Sequence, residues 1–429
     1  MTILISLLGM VVLLAIAVLF SKNRRAISMR TVGLAFGLQF GIGALILYFP
    51  PGRKALEALS NGVAYVINYG MEGIQFLLGG LVGDKMFEVF GGGGFVFAFR
   101  VLPLIIFFSS LIAVLYYLGI MQWVIRILGG ALHKLLGTSR AESMSAAANI
   151  FVGQTEAPLI VKPFIKNMTQ SELFAIMCGG LASIAGSVMG GLAGMGIPLP
   201  YLIAASFMAA PGGLLFAKLI IPETEKALSN EVMAVDFSDE SEEAPANVID
   251  AAARGASTGM QLAINVGAML LAFIGLIALI NGILGGIGGW FGQGDLTLAK
   301  IFGYLFAPLA WIIGAPWSEA QVAGSFIGQK LAINEFYAYA EYANYLKEFV
   351  TSGAAALSPK TQAIIAFALC GFANFSSIAI LVGGLSIMAP NRRKDVARLA
   401  FYALLAGTLS NLMSATIAGL FIDLSGMAA

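Results

Sequence analysis

The sequence predicts an all-α polytopic membrane protein, and three observations support that fold class. Hydrophobic residues make up 59% of the 429 residues and charged residues only 11%, whereas soluble domains carry roughly 25% charged residues. Eight stretches are apolar over about the 20 residues that a helix needs to cross a bilayer. Two further apolar regions are interrupted by polar clusters, which indicates re-entrant helical hairpins. A soluble fold is not compatible with this composition.

The eight predicted transmembrane helices account for most of the apolar sequence. The first of them has no basic start and no small-residue cleavage signature, so we interpret it as a span and not as a signal peptide. The spans occupy residues 2–20, 31–50, 95–118, 170–195, 198–221, 260–288, 362–389 and 397–422.

The basic residues predict the orientation, because Lys and Arg collect in cytoplasmic loops. They cluster between spans one and two and between spans seven and eight. They are Lys22, Arg24, Arg25, Arg30, Arg392, Arg393, Lys394 and Arg398. Eight spans then place both termini outside and the polar stretch 222–256 in the cytoplasm. The acidic run from Asp239 to Glu243 in that stretch is interpreted as a solvated linker. The formal net charge of +1 gives no basic surface for nucleic acid.

Three segments between the spans are too short or too broken to cross. Residues 121–137 mix Arg126 and Lys134 with apolar residues, which is typical of an interfacial helix. Residues 139–166 and 317–349 each hold two apolar halves around a polar tip, GQTEAP in the first and INEF in the second. Such irregular backbone is tolerated at membrane depth where it is buried in protein or lines a cavity.

The two hairpins belong to a sequence repeat. The string FVGQ at 151–154 recurs as FIGQ at 326–329, and each is followed by a Thr-Gln pair and then a Cys-Gly pair. The spacing between these two pairs is the same in both copies. Three spans separate the two hairpins, and an odd number of crossings inverts the second copy. The sequence therefore predicts inverted repeats, the plan of many secondary transporters that bind substrate near the midplane.

Each repeat contains a span that is weak as a helix. Residues 178–196 and 370–377 are dense in Gly, Ser and Asn at mid-membrane depth. Close packing through Gly186, Gly190 and Gly194 remains an alternative for the first span. It does not explain Asn374, whose amide needs hydrogen-bond partners in an apolar span. We expect broken helices that form a polar pocket.

Two carboxylates at the hairpin tips are the strongest candidates for a functional role. Glu156 and Glu335 lie at predicted membrane depth, where an acidic residue indicates a functional site. Salt bridges to Lys162 or Lys330 are the structural alternative. The surrounding groups provide amides and hydroxyls but no concentrated positive charge, which favours a neutral, hydrogen-bond-rich solute. They are Gln154, Thr155, Asn374, Ser376 and Ser377, with Phe372 as an apolar ring face.

The sequence resembles a known family in three segments. The run GQKLAINEFYAY at 328–339 matches the G-x-K-x-x-x-N-E-F-x-A-Y signature of the concentrative nucleoside transporters, and the GQTEAP and GFANFSS segments resemble that family in the same order. The resemblance covers essentially the whole chain. It implies a nucleoside substrate such as uridine. The implied substrate residues are Gln154, Thr155, Glu156 and Val188 for the base, Glu335, Asn374 and Ser377 for the ribose, and Phe372 against the nucleoside.

The resemblance also implies a coupling ion and an assembly. Sodium would bind side-chain oxygens of Asn149 and Ser183 and backbone carbonyls of Val152 and Ile184; proton coupling is the alternative. A homotrimer in a bacterial inner membrane would move a transport domain in an elevator-like way against a scaffold. The implied division is scaffold 1–120, first transport repeat 121–221, cytoplasmic loop 222–256, scaffold 257–316 and second transport repeat 317–429.

A channel and an intramembrane protease are the two other classes of function. A channel would use the same spans, and saturable accumulation of a nucleoside against its gradient distinguishes a carrier from a pore. An intramembrane protease would need more than the G-x-G-D string at 292–295, because no Tyr-Asp partner motif is present and His133 is the only histidine. We therefore expect no enzymatic activity.

Overall fold

The computed structural model describes residues 2–83, 85–90, 95–227, 245–352 and 357–425, and over these ranges the chain forms helices and no strands. The acidic run from Asp239 to Glu243 lies outside the described residues. The helices are α1 (Thr2–Leu19), α2 (Met29–Leu47), α3 (Pro50–Leu78), α4 (Lys85–Phe90), α5 (Phe97–Arg100), α6 (Leu102–Tyr117), α7 (Ile120–Leu136), α8 (Arg140–Ala148), α9 (Lys162–Ile165), α10 (Gln170–Ala182), α11 (Gly186–Gly194), α12 (Leu199–Ile220), α13 (Val248–Gly289), α14 (Leu298–Ile312), α15 (Trp317–Ala332), α16 (Glu335–Ser352), α17 (Pro359–Leu369), α18 (Phe375–Met388) and α19 (Arg393–Leu424). Short 3₁₀ turns lie at Arg24–Ala26, Gly79–Val82, Ala157–Val161 and Pro390–Arg392.

The helices fall into an inner and an outer group. In the most apolar stretch of Gln170–Gly194, and likewise in that of α12, 94% of the residues are buried. In the most apolar stretch of Pro390–Leu424, 89% of the residues are buried. The corresponding share is only 22% for Phe97–Tyr117 and for α13. Outer helices that are this apolar and this exposed suit a lipid surface, where apolar side chains need no burial in protein. The inner helices form the polar-lined core of the molecule.

The predicted spans correspond to helices in order. Among the described residues, six helices are long and apolar enough to cross a membrane, and each overlaps one of the eight predicted spans. The other two predicted spans correspond to the shorter apolar helix Ile3–Leu19 and to the interrupted pair α17 and α18. The fold class is therefore all-α with several spans. The count of eight crossings with two re-entrant hairpins stays a prediction.

Two helices lie where the sequence analysis assigned none. Helix α3 has 29 residues with a strongly apolar face, but its charged residues lower the hydrophobicity of any continuous window. Helix α14 has 15 residues and bends by 116° relative to α15, so neither is long enough alone to be recognised as a span. Helices α14 and α15 pack against each other ahead of the second polar tip, and α14 lies between the sixth predicted span and the second predicted hairpin.

Helix ends are fixed by local hydrogen bonds that the sequence encodes. Ser139 with Glu142 and Thr169 with Glu172 form capping boxes at the starts of α8 and α10, which satisfy otherwise unpaired backbone N–H groups. Helix α13 begins at Val248, earlier than the predicted residue 260, because the side chain of Asn247 accepts a hydrogen bond from the N–H of Asp250. The polar start hid this extension from a search for apolar residues.

Helix α7 confirms the predicted amphipathic segment at 121–137. Its buried residues recur every three or four positions, as expected for one helix face; they are Met121, Ile125, Gly129, Leu132 and Leu136. The exposed residues include Trp123 and Ile127. A location in the membrane interface stays a prediction.

Glycines bring α6 and α13 into close contact. A Cβ on Gly255 would lie 2.6 Å from the Cβ of Ala113, and one on Gly259 would lie 2.7 Å from the Cα of Ile106. Small residues of this kind let the backbones of membrane helices approach closely. The pair α6 and α13 is therefore packed backbone to backbone.

Candidate functional site

A cavity of about 550 Å³ lies between the two polar tips, the two broken helices and α13. Its size is in the range of small-molecule sites. The predicted substrate residues that line it are Gln154, Thr155, Glu156, Val188, Glu335, Phe372 and Ser377. Asn374 does not line the cavity but hydrogen-bonds three residues at its wall. The structure thus brings together residues that are more than 200 positions apart in the chain.

The first helix break lies between α10 and α11. Helix α10 ends at Ala182, Ser183 is extended, and α11 begins at Gly186. The N–H of Gly186 donates to the backbone oxygen of Phe151 at 2.8 Å, which ties the break to the first polar tip. A Cβ on Gly180 would lie 2.9 Å from the Cβ of Gln154. The expected broken helix is present, and glycine allows the tip to pack on it.

The second helix break lies between α17 and α18 and is organised by Asn374. Its Oδ1 accepts hydrogen bonds from the N–H of Ser377 at 2.8 Å and from the Oγ of Ser376 at 2.7 Å. Its Nδ2 donates to Oε2 of Glu335 at 2.8 Å. Asn374 is fully buried. It therefore caps α18 and orients the carboxylate of the second tip at the same time.

The two carboxylates differ in their surroundings. Glu335 is 4% exposed, whereas Glu156 is half-buried and accepts from the N–H of Gly153 at 3.1 Å. No ion pair to either is found in the described part of the chain. Lys330, one of the two lysines considered as a partner, donates to Asn411. Both tips therefore present acceptor oxygens to the cavity without a bonded cation.

The residues expected at the sodium site lie next to the first break. Asn149 is 1% exposed, and its Oδ1 has no hydrogen-bond partner among the residues that the structure describes. Gly179 of α10 packs against Asn149, since a Cβ built on Gly179 would lie 3.0 Å from the Nδ2 of Asn149. The backbone oxygen of Gly179 accepts a hydrogen bond from the Oγ of Ser183. Val152 and Ile184 are also buried. In the chain, Val152 lies just before the first polar tip and Ile184 lies within the first break. A buried, unpaired carbonyl oxygen suits a hard cation such as sodium, so this donor set fits the ion.

Helix α13 contributes cavity residues that the sequence analysis missed. Thr258, Gln261 and Asn265 line the cavity, and Nε2 of Gln261 donates to Oδ1 of Asn265 at 3.1 Å. Their positions i, i+3 and i+7 place them on one helix face. Polar residues at that spacing inside an apolar span were a visible signal of a polar surface. The cavity is also lined by Asn334, Phe336, Ser376 and Ile380.

Comparison with known protein families agrees with this site. The family model of the Na+ dependent nucleoside transporter C-terminus matches residues 201–419, and that of the N-terminus matches residues 8–81. A nucleoside recognition model, Gate, matches residues 98–199. The chain belongs to the concentrative nucleoside transporter family. The family resemblance inferred from the sequence is confirmed, and this is a family of transporters and not of enzymes.

Relatives of this transporter include bacterial and mammalian proteins. The nucleoside permease NupC of Helicobacter pylori is 56% identical over 98% of each chain. An uncharacterized transporter of Haemophilus influenzae is 65% identical over the full length of both chains. The sodium/nucleoside cotransporter 1 of Mus musculus is 38% identical over 97% of this chain and 63% of its own length.

Solved structures of CNTnw resemble this transporter in several states. CNTnw in an inward-facing substrate-bound state is 65% identical, covers 99% of each chain and gives a TM-score of 0.93. A double variant in an outward-facing state is 66% identical, covers 99% of this chain and 100% of its own, and gives 0.96. A variant in an intermediate state is 66% identical with the same coverage and gives 0.95.

Proposed function

We propose that this transporter imports nucleosides such as uridine by sodium symport. The observation that carries the proposal is one cavity that is lined by both Glu156 and Glu335. They come from two separate tips, and neither is bonded to a cation within the described residues. A neutral ligand with many hydroxyl and amide groups matches such a wall, because each polar group then finds a partner. An anionic substrate would meet acceptors in place of donors.

Each end of the nucleoside has suitable partners in the cavity. Gln154, Thr155 and Glu156 offer both donors and acceptors for a nucleobase edge, and Oε1 of Gln154 is buried without a partner. Glu335 accepts hydrogen bonds from ribose hydroxyls, while Asn374 holds it and Ser377 in place. Val188 and Phe372 supply apolar contact to the rings. This division follows the family and gives each polar group a role.

The position of the ion site accounts for coupling between ion and substrate. Asn149 and Val152 immediately precede the first tip, and Ser183 and Ile184 form the first break. Sodium bound there stabilises the arrangement of the tip that also binds substrate, which is the condition for an ion to favour substrate binding. A proton gradient is the alternative driving force. It is disfavoured because Asn149 and Ser183 are oxygen donors that do not titrate in the physiological range.

The transport cycle is proposed to follow an elevator mechanism in a homotrimer. CNTnw and its variants adopt outward-facing, intermediate and inward-facing states, which supports alternating access. Residues 121–221 and 317–429 form the moving transport domain, and 1–120 with 257–316 form the scaffold. The chain lies in a bacterial inner membrane with both termini outside and residues 222–256 in the cytoplasm.

Uptake by proteoliposomes tests the proposed function. Labelled uridine should accumulate when sodium is higher outside than inside, and a proton gradient alone should not drive accumulation. Uptake that is independent of sodium but driven by protons would support the alternative. Failure to transport any nucleoside would contradict the proposal.

The variant Asn149→Ala tests the ion site within the same assay. Removal of its free Oδ1 should raise the sodium concentration for half-maximal uptake, while the preference among nucleosides stays the same. Ser145→Ala is a matched control, because Ser145 lies one turn earlier on α8 and only its backbone oxygen bonds Asn149. Unchanged sodium activation of Asn149→Ala would contradict the assignment.

A further inference from the structure

The two helix breaks are joined by one side chain, Asn411 of α19. Its Nδ2 donates to the backbone oxygen of Ala182 at 2.6 Å and to that of Cys370 at 2.9 Å. Ala182 is the last residue of α10, and Cys370 directly follows α17. One buried amide therefore satisfies carbonyl groups at the ends of both broken helices, which would otherwise lack intrahelical partners.

Lys330 of α15 fixes the orientation of this amide. Its Nζ donates to Oδ1 of Asn411 at 2.8 Å, and both residues are only 2% exposed. A lysine side chain has donors and no acceptor, and backbone carbonyls have acceptors only. The amide oxygen must therefore face Lys330 and the amide nitrogen must face the two breaks. Lys330 also lies in the last turn of the helix that leads into the second polar tip.

A second hydrogen bond connects the breaks beside Asn411. The N–H of Phe372 donates to the backbone oxygen of Ser183 at 3.0 Å. Ser183 belongs to the proposed sodium site and Phe372 to the proposed nucleoside site. The backbone next to the ion site is thus bonded directly to the backbone next to the substrate site. Asn411 bonds the carbonyl of Ala182, one residue before Ser183, and that of Cys370, two residues before Phe372.

From this connection we propose that Asn411, oriented by Lys330, is the positioning residue that couples ion binding in the first break to nucleoside binding in the second. The inference rests on the proposed sodium symport. Ordering of Ser183 by the ion restrains Ala182, and the shared amide transmits this restraint to Cys370 and Phe372. Coupling between two sites requires an element whose arrangement both ligands favour, and it is reciprocal. The bridge of Asn411 is such an element.

The experiment measures the coupling factor, which is the ratio of the uridine dissociation constants without and with sodium, on purified full-length protein. Coupling factors of about 5 to 150 are typical of linked sites. Asn411→Asp keeps an acceptor for Lys330 but removes both donor bonds to the breaks. Its coupling factor should fall to about one, and uridine affinity without sodium should change much less. Lys330→Gln, which leaves Asn411 in place, should reduce the factor by a smaller amount.

Ser410→Ala is the matched control. Ser410 is buried next to Asn411 on α19 and its Oγ has no hydrogen-bond partner, so the coupling factor should equal that of the wild type. A wild-type coupling factor of one would contradict the proposed sodium symport, and the coupling role of Asn411 would fall with it. A wild-type factor retained in Asn411→Asp would refute the bridge. If Asn411→Asp does not fold, a wild-type factor in Lys330→Gln would refute it.

Discussion

At the scale of single residues, the polar groups of the candidate site lie where a membrane span should be apolar. Glu156, Glu335 and Asn374 stood out against their apolar surroundings, and all three are at the cavity or bonded to its wall. Gln261 and Asn265 were missed because they lie in a long span whose remaining residues are strongly apolar. Asn411 was not recognised, because the sequence cannot show that one amide reaches two breaks far away in the chain.

The charge of Glu335 should determine substrate affinity. Glu335→Gln retains the shape of the side chain but replaces hydrogen bonds to a charged acceptor by neutral ones. Bonds to charged groups contribute about 1 kcal/mol more than neutral ones, so KM for uridine should rise roughly fivefold. Glu319→Gln is the control in the same repeat, since Glu319 bonds Ser358 and not the cavity. A KM for Glu335→Gln within about twofold of the wild type would contradict the role.

The amide pair on α13 should contribute to nucleoside binding. Gln261→Leu and Asn265→Leu each remove hydrogen-bonding groups from the cavity wall, so uridine KM should rise about three- to tenfold. Met260→Leu is the control, because Met260 is exposed on the same helix and does not line the cavity. Equal KM values in all three variants and the wild type would show that this wall does not contact the substrate.

At the scale of helices, the sequence predicts breaks better than it predicts amphipathic helices. The Gly-, Ser- and Asn-rich stretches identified both broken spans, since such residues are weak in a helix interior and favour caps. Helices α3 and α14 escaped because one mixes charged with apolar residues and the other is short. Tertiary packing stabilises both, and an average over a sequence window does not detect packing.

A buried ion pair connects the first hairpin region to α12. The Nζ of Lys218 lies 2.6 Å from Oε2 of Glu142, and both side chains are less than a tenth exposed. Lys218→Met leaves the carboxylate without its cation, and loss of one partner of a buried pair costs about 3 to 5 kcal/mol. Thermal unfolding in detergent should therefore occur at a clearly lower temperature.

Two further variants separate charge from packing at this pair. The double variant Lys218→Met with Glu142→Gln removes the uncompensated charge, so its unfolding temperature should recover part of the loss. Lys300→Met breaks an exposed pair with Asp295 and should change the unfolding temperature little, because surface pairs are screened. A melting temperature of Lys218→Met equal to that of Lys300→Met would contradict this account.

At the scale of the whole molecule, similarity to three conformational states of CNTnw is itself informative. TM-scores between 0.93 and 0.96 show that this chain shares most of its fold with inward-facing, intermediate and outward-facing structures of CNTnw. This agrees with the proposed cycle, in which one packed part is displaced relative to another, because close-packed cores are not continuously deformable.

Mixed assemblies test whether each protomer of the proposed homotrimer works alone. Co-expression of wild-type chains with Glu335→Gln chains gives assemblies that contain zero to three impaired protomers. If each cavity transports independently, uptake at low uridine concentration should fall in proportion to the fraction of variant chains. A steeper than proportional loss would show that protomers act together, and native mass spectrometry should give the number of chains.

The glycine contact between α6 and α13 has a consequence for protein engineering. Gly255 and Gly259 leave no room for a Cβ against α6, so a random library should reject nearly every side chain at these two positions, while neighbouring lipid-facing positions of α13 should accept many apolar replacements. All of α6 and most of α13 belong to the proposed scaffold. Cross-links placed along their contact are therefore expected to raise the unfolding temperature without loss of transport.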